Sequence, residues 1–253
     1  MTNRNTTDFG FQDVDSSKKT GLVTDIFRRV ASNYDLMNDV MSFGIHRWWK
    51  DQLIQRISPK KEEKFLDVAG GTGDIALRLL HKTAPETDII ISDINPAMLE
   101  QGRARAIDQG VIKGLQWSCA TAENLPFPNA YFDVYTIAFG LRNVTNKEAA
   151  LKEAFRVLKP GGRFYCLEFS KVNHSLFEKA YSLYSFSVIP KIGALIAKDK
   201  AAYQYLVESI ARFPSQEQLV TMIRDAGFSS VSYQNLTQGI VAIHEGIKGF
   251  KEA

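Results

Sequence analysis

Residues 67–74 combine residue types that suit a ligand-binding turn. After the apolar pair Phe65-Leu66, the segment reads DVAGGTGD. Glycines let the backbone approach a ligand closely, and the start of a helix offers unpaired N–H groups. Open α/β sheets build ligand sites from a strand, a glycine-rich turn and a helix. The segment therefore predicts a nucleotide-cofactor loop.

The acids that flank this loop bear on which cofactor it takes. Gly71, Gly73 and Ala76 also fit the loose dinucleotide pattern G-x-G-x-x-G/A. A pyrophosphate on the helix start would meet the carboxylates of Asp67 and Asp74, whereas the sulfonium and ammonium of S-adenosylmethionine would be attracted to them. Asp74 is also an ordinary helix-capping residue. We interpret the acids as favouring a cationic methyl donor over NAD.

Two further segments could complete a cofactor site. Asp93 ends the second predicted strand, where its two carboxylate oxygens can accept both hydroxyls of a ribose. An ordinary helix cap is the alternative for Asp93. After the third strand, Thr121 and Ala122 lie where polar groups and backbone amides could contact an adenine edge.

Arg142 follows the fourth predicted strand, where open sheets place the reacting part of the substrate. The Asn/Asp-Pro-Pro-Tyr segment with which many nucleic-acid and protein amine methylases hold a planar amine is absent there. An arginine offers a fixed positive charge that could stabilise a phenolate but does not readily give up a proton. Pairing with a surface carboxylate is the alternative.

The elements that must position these residues alternate between strand and helix. Strands are expected at 64–68, 88–93, 115–119, 132–138 and 163–169, with helices near 74–82 and 96–108, which indicates a parallel sheet. A helix is predicted to stop at Pro160-Gly161-Gly162, and strands near 230–235 and 239–244 to form a hairpin. Leu22 and Ile26 share one face of an N-terminal helical cover.

Composition narrows the function classes. A chain of 253 residues with 45% hydrophobic content fits one elaborated α/β domain. A net charge of +3 without a dense basic run predicts no nucleic-acid partner. No secretory signal is visible in the first twenty residues, so a cytoplasmic location is expected. The two cysteines and four histidines lack metal-ligand spacing, and no metal is expected.

The apolar stretch at 181–197 is broken at Pro190-Lys191 and is too short to span a membrane. It suits either a pair of short buried helices or an apolar wall over a greasy substrate.

With these residues in view, the chain resembles the class I S-adenosylmethionine-dependent methyltransferases, and among them the ubiquinone/menaquinone biosynthesis C-methyltransferases. The N-terminal signature carries the resemblance most specifically: Tyr34, Asp35, Met37, Asn38, Met41, Ser42, His46 and Trp49. Three later segments are also similar to the family: 136–145, 156–171 and 235–244.

The resemblance implies a single Rossmann-like domain with a mostly parallel seven-stranded sheet, a C-terminal antiparallel strand, an N-terminal helical cover and an apolar helical insertion. Residues 1–50 would form the tail and cover. Residues 51–253 would form the methyltransferase domain, with the insertion at 172–213. The implied cofactor is S-adenosylmethionine, in contact with seven residues: Asp67, Gly71, Thr72, Gly73, Asp93, Thr121 and Ala122. Many methyltransferases carry an acidic or amide side chain where this chain has Thr121, so we expect only backbone contact with the adenine there.

The implied reaction is C-methylation of a polyprenylated quinol ring. We interpret Arg142 and Tyr34 as its catalytic residues; for Tyr34 the alternative is an N-terminal lid residue that packs over the cofactor. The acceptor is a 2-polyprenyl-6-methoxy-1,4-benzoquinol, a demethylmenaquinol or both. Such quinols reside in bilayers, which implies transient contact with the inner membrane surface, and relatives work in quinone-biosynthesis assemblies. Two alternatives stay open: a scaffold that holds cofactor or lipid without turnover, and a methylase of another lipid.

Overall fold

The structure, a computed structural model, describes residues 6–30, 42, 44–172 and 200–250. A two-stranded hairpin precedes the main sheet and consists of β1 (Thr6–Phe9) and β2 (Gln12–Asp15). The main sheet contains seven strands: β3 (Phe65–Val68), β4 (Ile89–Asp93), β5 (Leu115–Cys119), β6 (Phe132–Ala138), β7 (Leu158–Phe169), β8 (Ser230–Leu236) and β9 (Val241–Ile247).

The spatial order of the main sheet is β5-β4-β3-β6-β7-β9-β8. The first five strands pair in parallel, and β9 lies antiparallel to both β7 and β8. The predicted parallel sheet and C-terminal hairpin are therefore confirmed. Strand order reverses direction at β3, and this is the kind of position where open α/β sheets place a ligand crevice.

Seven helices are described: α1 (Ser16–Val30), α2 (His46–Ile57), α3 (Asp74–Lys82), α4 (Pro96–Asp108), α5 (Lys147–Val157), α6 (Lys200–Arg212) and α7 (Gln216–Asp225). Local sequence explains several helix starts. Asn95 and Asn146 accept backbone N–H groups as caps, and Ser215 forms a capping box with Gln218. Buried side chains of α1, α2, α3 and α6 pack on one face of the sheet, and those of α5 and α7 pack on the other.

Two predicted details are wrong near α5. The helix ends at Val157, and Pro160 lies inside β7 instead of marking a loop after the helix. The register with β6 shifts between Phe132 and Val134, so that β7 accommodates Pro160-Gly161-Gly162 as a bulge, with Gly161 at φ +79°.

The predicted face of α1 is confirmed at Ile26 and wrong at Leu22. Val23 and Ile26 are buried, whereas Leu22 is exposed. The N-terminal hairpin of β1 and β2 was not predicted either, because its strands are short and polar.

Residues 6–30, which we call the N-terminal cover, are attached to later parts of the chain. Lys19 is fully buried, and its Nζ donates to Asp8 Oδ1 and to the carbonyl of Val144, both at 3.2 Å. In β1 of the same cover, the Phe9 ring stacks on Tyr205 of α6, with 4.5 Å between the ring centroids. The cover therefore bridges the loop after Asn143 and helix α6.

No helix among the described ranges is long and apolar enough to cross a membrane. The stretch at 181–197 lies outside the described residues.

His244 on β9 supplies a stability test. It is buried, and its Nε2 lies 3.1 Å from the carbonyl oxygen of Gln216. Burial lowers the pKa of His244 to about 4 from an ordinary 6.5. Below pH 6.5 the unfolded chain therefore binds a proton that the folded chain does not, and stability from this group falls until about pH 4. We expect it to remove about 2 kcal/mol from the free energy of unfolding between pH 7 and pH 5.

The measurement is urea unfolding of the parent and His244→Gln at both pH values, since glutamine keeps a donor for Gln216 without titrating. The variant is expected to lose less stability than the parent on acidification. Equal losses in both proteins would contradict the assignment.

Candidate cofactor-binding and active site

The ends of β3, β4, β5 and β6 bring most of the predicted site residues to one edge of the sheet. After β3 the chain turns through Ala69 and Gly71, at φ +53° and +54°, into Gly73 at φ +80°. The Gly73 N–H donates to the Gly70 carbonyl at 2.8 Å, which closes the turn directly before α3. A Cβ on Gly70 would lie 2.7 Å from Ile91 Cγ2 and 2.8 Å from Asp67 Oδ2, so the loop requires glycine there. The loop thus has the predicted form.

Asp67 lies beneath this loop and is inaccessible to solvent. Thr136 Oγ1 donates to Asp67 Oδ1 at 2.7 Å, whereas Oδ2 is buried without a hydrogen-bond partner. Burial raises the pKa of Asp67 to about 7, and the carboxylates of Asp74 and Asp93 act in the same direction. A cation near Oδ2 would favour the ionised form of this carboxyl.

Asp93 joins the glycine loop to the end of β4. Its Oδ2 accepts the N–H of Gly71 at 2.9 Å, and its Oδ1 accepts the N–H of Asn95 at 2.8 Å. Burial raises the pKa of Asp93. The helix cap proper is Asn95, whose side chain accepts the N–H of Ala97. Asp93 is thus held at the strand end with lone pairs left for a ligand.

A cleft of two adjoining cavities opens over these residues. We call it the cofactor cleft. Four predicted cofactor residues line it: Gly71, Asp93, Thr121 and Ala122. Among the described residues, Asp67, Thr72 and Gly73 are not part of its walls, although they belong to the loop or lie under it. The seven cofactor assignments remain predictions.

The Thr121 hydroxyl is already engaged, because it donates to the Glu123 carboxylate. Glu123 Oε1 in turn accepts the N–H groups of Thr145 and Asn146 at 3.0 and 3.1 Å. This arrangement fits the expectation that the Thr121 side chain does not read the adenine. It also ties the strand end after β5 to the loop after Asn143.

Sequence reasoning missed several residues of the cleft. Val23 and Thr24 of α1 form one wall, and Phe139, Gly140 and Asn143 form another. Phe139 adopts a left-handed backbone, with φ +55°, which is uncommon for an aromatic residue. The only signal for α1 was its apolar spacing, which predicts a packed helix but not what the helix covers.

Arg142 lies directly behind this second wall, in a short 3₁₀ turn at Leu141–Asn143. Its side chain is 4% exposed, and its Nη1 donates to Glu168 Oε1 at 2.9 Å and to the Phe139 carbonyl. Arg142 Nε is buried without a partner. Arg142 therefore pairs with a carboxylate, as the alternative held, but Glu168 is buried and not on the surface. Tyr34 lies outside the described residues.

Asp74 is not a free carboxylate that could attract a cationic cofactor, as its position in the sequence indicated. Burial would raise the pKa of Asp74, but Lys50 Nζ at 2.6 Å and Arg78 Nε at 2.9 Å lower it to about 2. Its charge is neutralised between α2 and α3. Of the three aspartates Asp67, Asp74 and Asp93, the first and the last remain unpaired with a cation at the cleft, among the side chains that the structure describes.

The residues present fit a cationic adenosine cofactor. Asp67 has an orphaned buried oxygen that a cation would complement, and Asp93 lines the cleft with a carboxylate that can accept two hydroxyls. Within the described part of the chain, no group of three or more His, Cys, Asp or Glu side chains could hold a metal ion.

Comparison with known proteins assigns the family. The model of the ubiE/COQ5 methyltransferase family matches residues 12–248. The ubiquinone/menaquinone biosynthesis C-methyltransferase UbiE of Rickettsia akari (strain Hartford) is 54% identical, across 95% of this chain and 98% of the relative. The mitochondrial 2-methoxy-6-polyprenyl-1,4-benzoquinol methylase of Xenopus laevis is 48% identical, across 97% of this chain and 90% of the relative.

Solved structures agree on the fold. A crystal structure of a SAM-dependent methyltransferase from Thermotoga maritima superimposes with a TM-score of 0.62 at 24% identity, covering 88% of this chain and 99% of the other. The predicted Rossmann-like methyltransferase fold is confirmed. The glycine loop, the strand-end acids and a match that extends over nearly the whole sequence lead to one conclusion: the chain belongs to the ubiE/COQ5 methyltransferase family.

Proposed function

We propose that the protein transfers a methyl group from S-adenosylmethionine to a ring carbon of a polyprenylated quinol in ubiquinone/menaquinone biosynthesis. The observation that carries this proposal is the 54% identity to a C-methyltransferase of that name across nearly the full length of both chains. The acceptor is a 2-methoxy-6-polyprenyl-1,4-benzoquinol, a demethylmenaquinol or both, since one relative is a ubiquinone/menaquinone biosynthesis methyltransferase and the other a benzoquinol methylase.

Three groups of residues would hold the cofactor. Asp93 would accept the ribose hydroxyls, the loop at Gly71–Gly73 would lie against the bound molecule, and the backbone at Thr121 and Ala122 would contact the adenine. Asp67 Oδ2, buried beneath the loop without a partner, would add negative charge that attracts a cationic cofactor. S-adenosylmethionine supplies an electrophilic methyl group when bound.

A ring carbon becomes a useful nucleophile when a neighbouring hydroxyl loses its proton, because the phenolate directs electron density to the ortho carbon. Arg142 stabilises that phenolate as a fixed cation in a dry setting, where a charge interaction is stronger than in water. Phe139 offers an aromatic surface at the cleft wall for the ring. The protein thus contributes orientation, exclusion of water and charge, without covalent catalysis.

Tyr34 and the stretch at 181–197 complete the proposal. Tyr34 is our candidate to assist Arg142 at the phenolate, and the stretch at 181–197 is our candidate wall for the isoprenoid tail; both lie outside the described residues. Transient contact at the membrane surface delivers the substrate, and association with other quinone-pathway proteins accompanies it.

The test is methyl transfer by the purified full chain from methyl-labelled S-adenosylmethionine to short-tailed demethylated quinols of both ring types. We expect label on the ring carbon of the reduced quinol and none with the oxidised quinone, which has no hydroxyl to ionise. Calorimetry with S-adenosylmethionine and NADH accompanies the assay.

Three outcomes would contradict the proposal. Binding of NADH without binding of the methyl donor would contradict the assignment of S-adenosylmethionine as cofactor. Cofactor binding without transfer to either quinol would indicate a scaffold. Transfer to a different lipid alone would indicate another methylase.

A further inference from the structure

Glu168 is a buried carboxylate that contacts the 3₁₀ turn at Leu141–Asn143. It occupies the penultimate position of β7 and is 1% exposed. Its Oε1 accepts Arg142 Nη1 and the N–H of Phe169, each at 2.9 Å. Its Oε2 accepts the backbone N–H of Arg142 at 3.3 Å. Glu168 therefore binds both the main chain and the side chain of Arg142.

The same contacts determine where the Arg142 charge lies. Nη1 is shared between Glu168 and the Phe139 carbonyl, and the guanidinium lies 5.6 Å from the centre of the Phe169 ring. One end of the guanidinium is thus held by protein, while Nε has no partner. Phe139 and Asn143, on either side of Arg142, both line the cofactor cleft. Arg142 is therefore fixed by Glu168 and Phe139 within a turn whose neighbouring residues line the cleft.

A buried ion pair is weak evidence for stability, because desolvation of both charges offsets their attraction. Well-packed apolar residues of similar volume would stabilise the fold as well or better. The location of this pair, directly behind a wall of the cleft, argues for a role in placing charge. Since both Glu168 oxygens accept protein donors, Glu168 is not itself placed to take the hydroxyl proton of the quinol.

We propose that Glu168 is a positioning residue of the methyl transfer: it holds the Arg142 guanidinium in the orientation that stabilises the phenolate of the acceptor. This inference rests on the proposed function and adds a residue to it. Glu168 acts only through Arg142, so its effect on the reaction disappears when Arg142 is absent.

A double-mutant cycle measures this dependence. Glu168→Gln keeps the size of the side chain and one acceptor but removes the charge. We expect it to lower kcat roughly 10- to 100-fold, the range for a misplaced catalytic group, with the Kd for S-adenosylmethionine unchanged. In the Arg142→Ala background, Glu168→Gln is expected to have no further effect on kcat. A merely structural role would lower kcat by the same factor in both backgrounds and would overturn the inference.

Glu245→Gln is the matched control. Glu245 lies on the neighbouring strand β9 and accepts the Tyr165 hydroxyl at 3.0 Å and Arg56 Nε at 2.9 Å, away from the cleft. We expect the parent kcat from this variant. Circular dichroism and cofactor Kd report folding, and Glu168→Asp, which keeps the charge but withdraws it from Arg142, serves if Glu168→Gln does not fold. Its kcat is expected to fall as well, and a parent value would overturn the inference.

The outcomes separate the two proposals. Parent kcat in Glu168→Gln with a defective Arg142→Ala overturns the role of Glu168 and leaves the proposed function intact. Absence of methyl transfer by the parent chain overturns the proposed function itself.

Discussion

We expect Arg142→Ala to lower kcat for quinol methylation on the order of 10²- to 10³-fold while the Kd for S-adenosylmethionine stays near the parent value. Removal of one preorganised charge from a developing oxyanion typically has an effect of this size. The cofactor affinity is expected to survive because the Arg142 side chain faces Glu168 and Phe139, not the glycine loop. Single-turnover transfer of labelled methyl, with calorimetry of the cofactor, measures both quantities.

Two further variants make the Arg142 result interpretable. Arg142→Ala leaves Glu168 as a buried unpaired charge, which destabilises a protein by about 3–5 kcal/mol. Arg142→Ala with Glu168→Gln removes both charges, so a defect shared by the single and double variants is one of catalysis. Arg142→Lys keeps the charge but loses the fork of donors, and we expect partial activity. Parent activity in Arg142→Ala would contradict the proposal that Arg142 stabilises the phenolate.

The second large effect concerns Asp93. We expect Asp93→Ala to weaken binding of S-adenosylmethionine roughly 100-fold, or about 3 kcal/mol, because hydrogen bonds to a charged group contribute about 1.5–3 kcal/mol each. The variant loses the acceptor for the ribose hydroxyls and also the acceptor that holds the N–H of Gly71 at 2.9 Å. Calorimetry of the purified variant gives the affinity directly.

Asp88→Asn is the control for Asp93. Asp88 precedes the same strand at its opposite end, where it accepts Gln116 Nε2 at 2.8 Å on the surface. Its replacement removes a carboxylate from the sheet edge without touching the cleft, and the parent affinity is expected. Unchanged affinity in Asp93→Ala would mean that the carboxylate serves the loop alone.

Local sequence patterns were sufficient to predict the helices and strand ends around the glycine loop. The bounds of α3 and α4 match the predicted helices because caps, glycines and apolar spacing act within a few residues of each other. The strand-end positions of Asp67 and Asp93 follow from the same short-range logic. β7 was misjudged because Pro160-Gly161-Gly162 resembles a helix stop, whereas pairing with β6 continues the strand through it.

Contacts between distant residues account for what the sequence alone could not predict at the site. Asp74 pairs with Lys50, 24 residues earlier, so its charge could not be assigned from its neighbours. Arg142 was identified as a candidate, but its partner Glu168 is 26 residues away and only the parallel pairing of β6 and β7 brings them together. The wall formed by Val23 and Thr24 depends on where α1 docks.

The N-terminal cover has a consequence for biosynthesis. The contacts that attach it join residues far apart: Lys19 to Val144 across 125 positions and Asp13 to Arg212 across 199. Residues 6–30 leave the ribosome before these partners, and the last partner emerges only when α6 has been made. Ordering of the cover is therefore a late folding event with a large loop-closure entropy, although the glycine loop and strands β3 and β4 are translated much earlier. A nascent chain that stops before Arg212 lacks part of the contacts that hold the cover, so we expect cofactor binding to stabilise chains that contain α6 over truncated ones.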